Sequence, residues 1–260
     1  MKAVILCGGL GTRIREVNET LPKPMLPIGG RPIVWHVMKT YASHGIKDFV
    51  LCLGYKGWMF KEWFLNYRTM TTDITVNLGR HQAVEFHSGH EEEDWRVTLA
   101  ETGLHTMTGG RVAKIRRYVQ DDDLFLMTYG DGVADINIEE LIDFHRSHGR
   151  VATVTSVRPP SRFGEMVLRN GRVQSFVEKP QVTEGSINGG YFVLDARRIW
   201  SYLSDDSGLI FEREPLARLA QDDQLVAFDH DGFWQPMDTS REYQLLNRLW
   251  DEGNADWKCW

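Results

Sequence analysis

Short apolar runs punctuate the chain, and several of them empty directly into glycine. Lys2–Cys7, Asp48–Leu53, Leu124–Tyr129 and Val151–Val157 each have the length and content of a strand buried on both faces. Between them, apolar positions recur at helical spacing. Arg31–His44 predicts a helix with Pro32 in its first turn, Ile33, Val34, Val37, Met38 and Tyr41 on one face, and Gly45 as its stop. Trp58–Tyr67 and Thr108–Tyr118 read as two more. A further helix is signposted by Asn137 as cap, Glu140 as its partner, Ile136 and Leu141 as a staple, and Gly149 as stop. The stretch from Thr71 to about Ala100 is less regular, with Ile74, Val76, Val84 and Phe86 alternating like edge strands.

The second half continues the pattern. Gly164–Arg169 and Arg172–Val177 predict a hairpin turned at Asn170-Gly171, and Ile187–Leu194 a strand. Helices are expected at about Ala196–Leu203 and Pro215–Ala220, with a strand at Leu225–Phe228 between them and the last helix. That helix is capped by Thr239, with Glu242 completing the box and Leu245, Leu246 and Leu249 on its apolar face. Alternating strands and helices predict a doubly wound, Rossmann-like α/β fold: a mixed, mostly parallel sheet flanked by helices. No linker or repeat divides the chain, so a single domain over 1–260 is expected. Its catalytic core would reach about residue 235, and a tryptophan-rich helical extension would cover 236–260.

Composition narrows the function classes. A net charge of -6 argues against nucleic acid or an anionic membrane as partner. No run approaches 18 apolar residues, and the apolar start carries only Lys2 ahead of it and runs into glycines, unlike a signal peptide, so a cytoplasmic protein is expected. The three cysteines, Cys7, Cys52 and Cys259, cannot all pair with one another, and two lie in strand-like runs where a thiol behaves as a small hydrophobe. His81, His87 and His90 lack metal-ligand spacing, and with Glu91–Asp94 they read as a solvated loop.

Candidate chemistry gathers where strands end. The first strand runs into Gly8-Gly9-Leu10-Gly11-Thr12-Arg13, whose backbone N–H groups and arginine suit a polyphosphate. It is not the dinucleotide fingerprint, which would need glycine or alanine where Ile14 stands, and the ATPase loop is absent. Lys23, stiffened between Pro22 and Pro24, is aimed at the same anion. Asp131 leaves a strand between Gly130 and Gly132, and Asp238 precedes a helix cap. Two such carboxylates match a magnesium ion shared with a phosphate substrate. Taken singly, Asp131 also reads as a turn residue and Asp238 as an acid favoured by a helix dipole. Glu178-Lys179 could hold a sugar hydroxyl and a sugar phosphate, or form a solvated pair.

Met1–Leu6 with Gly8–Arg13, Lys23-Pro24-Met25, Gly130-Asp131, Glu178-Lys179-Pro180 and Asn188-Gly189-Gly190 resembles the sugar-1-phosphate nucleotidylyltransferase family over essentially the whole chain. Gly54–Gly57, Met107–Arg111, Thr128–Asp135 and Phe233–Thr239 resemble its cytidylyltransferase branch. The resemblance implies transfer of CMP from CTP to glucose 1-phosphate, with Mg2+ as cofactor and a homo-oligomer, trimer or hexamer. It implies that Leu6, Gly8, Gly9, Leu10, Gly11, Thr12 and Arg13 hold the nucleotide, with Lys23 on phosphate, Thr106 and Arg111 facing the base and Gly130 near the nucleoside. Asp131 and Asp238 would bind the metal. Glu178 and Lys179 would hold the sugar phosphate, and Asn188 and Gly189 would line the sugar pocket. Arg13, Lys23, Asp131 and Lys179 would be the catalytic set. Cys7 departs from the alanine usual in the family. The alternatives are the same reaction with UTP, dTTP or another sugar 1-phosphate, and a non-catalytic sugar-nucleotide binding protein. The donor-only guanidinium of Arg111 would suit the two acceptors on the edge of cytosine.

Overall fold

A computed structural model of the chain describes all residues except Arg15, Asn18, 80–82, 160–164, 170–171 and 178–184, and the side chains of Arg13, 165–169 and 172–177. Seven strands form the central sheet: β1 (Ala3–Leu6), β2 (Asp48–Leu53), β3 (Arg96–Glu101), β4 (Leu124–Tyr129), β5 (Ala152–Val157), β6 (Ile187–Asp195) and β7 (Leu225–His230). Their order across the sheet is 3-2-1-4-6-5-7, with β6 antiparallel to both its neighbours and all other pairs parallel. The mixed, mostly parallel sheet expected from the sequence is therefore present. Among the described residues eight helices flank it: α1 (Ile33–Ser43), α2 (Gly57–Leu65), α3 (Tyr67–Thr71), α4 (Thr108–Lys114), α5 (Arg116–Val119), α6 (Ile138–His148), α7 (Glu214–Gln221) and α8 (Ser240–Asp251).

The double winding follows from strand alternation. Ala3, Ile5 and Cys7 face one core layer with Val37 and Met38 of α1, Leu141 of α6 and Leu246 of α8. Val4 and Leu6 face the opposite layer with Val112 of α4 and Leu219 of α7. A strand buried on both sides has no polar face, which is why β1, β2 and β4 read as unbroken apolar runs.

Cap chemistry sets the helix ends. The Asn137 side chain accepts from the N–H groups of Glu139 and Glu140, and Gly149 stops α6 at φ 64. Thr239 and Glu242 form a complete capping box on α8. Several expectations are corrected. Pro32 is extended and stands just outside α1, because Arg31–Pro32 pairs with Pro27–Ile28 as a short ribbon. Arg96–Glu101, left within an irregular stretch, is the sheet's edge strand; its mixed pattern reflects one open edge and incomplete burial. The helix expected over Ala196–Leu203 is a 3-10 turn, Ile199–Tyr202. Glu92 is not solvated: it is buried, accepting from the Tyr67 hydroxyl at 2.8 Å and from Lys39. Strands Glu165–Arg169 and Arg172–Val177 pair antiparallel as expected, while their turn at Asn170-Gly171 lies outside the described residues. Among the described residues no helix is long and apolar enough to cross a membrane.

The chain's end folds back on α1. His36 is fully buried, its Nε2 donating to the Ile28 carbonyl at 2.9 Å and its Nδ1 accepting from Trp257 Nε1 at 3.3 Å, with Trp35 and Trp250 edge-on to the ring. Burial, outweighing its backbone contacts, pulls its pKa down to about 4. His145 is also buried, bonded to Thr153 Oγ1 at 2.8 Å, and burial reinforced by neighbouring His148 lowers it to about 4.

These two histidines generate a pH prediction. Both have folded pKa values below the unfolded value near 6.5, so the stability they protect is complete above pH 6.5 and declines as pH falls toward 4. Between pH 7.5 and pH 5, before most carboxylates titrate, each should cost about 2 kcal/mol of unfolding free energy. Urea unfolding at the two pH values checks this, and an unchanged midpoint contradicts it.

Candidate active site

β1 and β4 are adjacent, but the chain moves on from β1 to β2 in one direction across the sheet and from β4 to β5 in the other, so a crevice opens beyond their carboxyl ends. A cleft of about 300 Å³ lies there. The glycine-rich loop forms its floor: Leu6, Gly8, Gly9, Gly11 and Thr12 line it, as do Thr106 and Arg111. Gly11 has φ 58, and a Cβ on it would sit 3.0 Å from the Lys23 Cβ, so this turn needs a glycine to bring the loop against Lys23. Arg13 falls in the 3-10 turn Thr12–Ile14, with its side chain outside the described residues. Leu10 is exposed and not part of the cleft wall. Gly130 is buried beneath it, where a Cβ would meet Cys7 Sγ at 2.9 Å and Pro24 at 3.2 Å.

The cleft's charge is concentrated at one point. Lys23 Nζ donates to Asp131 Oδ2 at 2.6 Å and makes a close ion pair with Asp238 Oδ1. The two carboxylates therefore converge on a single cation. A short ribbon brings them together: Trp234–Pro236 pairs antiparallel with Gly132–Ala134, and the Met237 N–H donates to the Asp131 carbonyl at 2.9 Å. Glu242 of the α8 box completes the placement, its Oε2 accepting from the N–H groups of both Asp238 and Thr239. Burial disfavours the Lys23 charge, but Asp131 and Asp238 more than offset it and hold its pKa above the usual lysine range.

A second cavity of about 260 Å³ shares Tyr129, Asp131 and Asp238 with the first and is lined further by Asn188, Gly189 and Trp234. Trp234 Nε1 donates to the Gly189 carbonyl at 2.7 Å. Asn188 Oδ1 accepts from the Gly190 N–H at 2.8 Å, and Gly190, at φ 83, lies against the Tyr129 ring. Tyr129 donates to Glu212, and burial followed by that carboxylate raises its pKa well beyond the usual phenol range. Glu178 and Lys179, expected beside this cavity, lie outside the described residues.

Arg111 is buried and heavily engaged. Its Nη1 donates to the Leu53 carbonyl at 2.9 Å and to Thr102 Oγ1 at 2.6 Å, and its Nη2 to the Gly8 carbonyl at 2.9 Å. Three of its five N–H groups thus tie the ends of β1, β2 and β3 together. A Cβ at Gly8 would overlap the guanidinium at 2.0 Å, so this glycine is required by Arg111. Thr106 Oγ1 donates to the Thr102 carbonyl at 2.7 Å and accepts from Lys114. Cys7 is a buried free thiol whose pKa burial raises strongly, leaving it inert.

Sequence reasoning did not single out Tyr129, Trp234 or Glu242 for the site. Tyr129 and Trp234 each sit within motifs carrying the resemblance, which was the available signal. Nothing in the sequence announces that Glu242 also grips Asp238. Among the described residues no group of three or more metal-ligating side chains exists, so the pair Asp131 and Asp238 stands as the candidate.

Known proteins match this architecture and chain. Residues 2–240 match the family described as Nucleotidyl transferase. The glucose-1-phosphate cytidylyltransferase of Salmonella typhimurium is 51% identical over 260 residues, covering 100% of both chains. Two solved structures share the fold. HddC from Yersinia pseudotuberculosis, complexed with GMP-PN, has a TM-score of 0.66 at 20% identity, covering 96% of this chain and 99% of that one. Apo UDP-glucose pyrophosphorylase has a TM-score of 0.67 at 15% identity, covering 97% and 98%. By sequence over its whole length and by the architecture of its sheet, the chain belongs to the nucleotidyl transferase family.

Proposed function

We propose that this protein transfers CMP from CTP to glucose 1-phosphate, yielding CDP-glucose and pyrophosphate. The observation that carries the reading is the meeting of two cavities at Asp131 and Asp238, with Lys23 on both acids. One cavity has the amide-rich floor suited to a triphosphate, and the other is of a size for one sugar ring. The full-length likeness to a glucose-1-phosphate cytidylyltransferase supports the choice of substrates. The protein is read as acting in the cytoplasm, and a homo-oligomer is the expected assembly.

The reaction is a displacement at phosphorus. An oxygen of glucose 1-phosphate attacks the α-phosphorus of CTP, a new P–O bond forms, and the bond to pyrophosphate breaks with its electron pair leaving on pyrophosphate. The attacking oxygen is already ionised, so no strong general base is needed, and catalysis rests on positioning and charge neutralisation. The glycine loop's N–H groups would hold the phosphates, with Arg13 beside them. Lys23, kept charged by its two acids, would neutralise the leaving pyrophosphate. Glu178 and Lys179 would hold the sugar phosphate, and Asn188, Gly189 and Trp234 would enclose the ring. The two N–H groups of Arg111 not used on the protein would meet the acceptor edge of cytosine.

The residues present fit Mg2+. Asp131 and Asp238 already converge on one positive charge, and two carboxylates leave the remaining ligand positions for phosphate oxygens and water. When bound between them, the ion would supply positive charge across the nucleotide phosphates.

Four outcomes follow. Incubation with CTP, UTP and dTTP against a panel of sugar 1-phosphates, read by mass spectrometry, should give CDP-glucose as the dominant product. Asp131→Ala should lower kcat/KM about a thousandfold, or about 4 kcal/mol, and wild-type turnover in that variant contradicts the assignment. Glu242→Ala should lose about 1 kcal/mol of stability with the cap and reduce kcat further than that loss explains, because Asp238 loses its anchor. Lys23→Met should tighten Mn2+ binding by the nucleotide-free protein about tenfold, as measured by calorimetry, since the ammonium no longer competes for the acids. Weaker binding in that variant would show that lysine and metal do not share the site.

A further inference from the structure

The turn after β2 holds both ends of the glycine-rich segment. At the near end, the Tyr55 N–H donates to the Gly8 carbonyl at 3.3 Å. At the far end, Lys56 Nζ donates to the carbonyls of Glu19 and Thr20, at 2.9 and 2.6 Å. Glu19 and Thr20 lie on the stretch joining the loop to Lys23. The ammonium thus bridges two consecutive backbone carbonyls of a segment 36 and 37 positions away in sequence.

Lys56 does this from an unfavourable backbone. Its φ is 51 and ψ 35, the left-handed region, and among the described residues only Asp223 shares such a φ without being glycine. A lysine there costs about 1 kcal/mol or more relative to glycine, since its Cβ crowds the following carbonyl. The turn already contains Gly54 and Gly57, so glycine is tolerated on either side. The strained residue also places its ammonium on the stretch that leads into Lys23. Strain retained at one position, with a side chain spanning to another segment, is the signature of an imposed geometry.

We propose that Lys56 is a positioning residue for the nucleotide: it fixes Glu19 and Thr20, just ahead of Lys23, so that the glycine loop and Lys23 meet the triphosphate together. The inference rests on the reading that this loop holds CTP. It assigns Lys56 no contact with substrate; its action passes through two backbone carbonyls.

The test uses Lys56→Gly, which relieves the backbone and removes the tether, and Lys56→Met, which removes only the ammonium. Lys56→Gly should melt no lower than wild type. In both variants the KM for CTP should rise about tenfold while the KM for glucose 1-phosphate stays within about twofold, and Lys56→Arg should restore most of the difference. Without any ligand, amide hydrogen exchange in peptides covering 12–22 should speed up about tenfold in both variants, with β1 and β4 unchanged. Equal rises in both KM values, or a CTP KM within about twofold of wild type, overturn the proposal. Unchanged exchange over 12–22 overturns it as well, and that measurement needs no substrate. It therefore decides the role of Lys56 even if wild type forms no CDP-glucose, an outcome that would instead fell the proposed reaction.

Discussion

Two acids far apart in the chain meet on one lysine, and much of the molecule is arranged so that they can. Asp131 and Asp238 both contact Lys23 Nζ, and each approaches on a separate piece of scaffold. β4 delivers Asp131 at its carboxyl end. A three-residue ribbon and the α8 capping box deliver Asp238, while prolines on both sides fix Lys23 in a 3-10 turn. Without the ammonium, two carboxylates in a partly enclosed cleft would repel one another. With it, both are held against one positive charge in the cleft. Pairing charges in advance removes reorganisation from the moment of reaction, which is the general advantage of a preorganised electrostatic site.

A second constraint acts on the backbone rather than on charge. Arg111 pushes its guanidinium between the loops that follow β1 and β2, and binds a carbonyl from each. Gly8 and Gly54 are glycine because the guanidinium fills the space where their Cβ atoms would be. A buried arginine needs acceptors for its donors, and here two backbone carbonyls and the Thr102 hydroxyl at strand ends meet three of them. The glycines of the loop thus serve different ends. Gly8 admits Arg111, Gly11 makes the left-handed turn toward Lys23, and Gly9 leaves the surface open.

Sequence made the sheet's centre legible because burial on both faces erases the polar alternation. β1, β2 and β4 are continuous apolar runs, and their bounds are close to those expected. Caps were legible for a different reason: Asn137, Gly149 and the Thr239–Glu242 box act within a few residues, so local chemistry decides them. Arg96–Glu101 was not legible, since an edge strand with Arg96, Thr98 and Glu101 shows neither pure alternation nor a continuous run. The loop, Lys23, Asp131 and Asp238 could be named from strand ends and from the resemblance. Their convergence could not, because the ribbon joining 132–134 to 234–236 is a long-range pairing of two short segments with weak individual signals. Tyr129 and Glu212 escaped notice for the same reason: each becomes informative only beside its partner.

The geometry also bears on how two substrates come to react with one another. The two cavities share Tyr129, Asp131 and Asp238 in their walls, so molecules filling them would meet beside these three residues. Tyr129 stands at this junction. Its hydroxyl is bonded to Glu212, which also accepts from Thr108 at the start of α4, and its ring covers Gly190. The aromatic wall is therefore braced by α4 on the side of the first cavity and seated on a glycine on the side of the second. A braced wall fixes where one substrate ends and the other begins, and for a displacement at phosphorus that distance matters more than any single contact. A reaction in which both partners are anions needs enforced proximity as much as it needs positive charge, and the carboxyl ends of the central strands bring groups suited to both together.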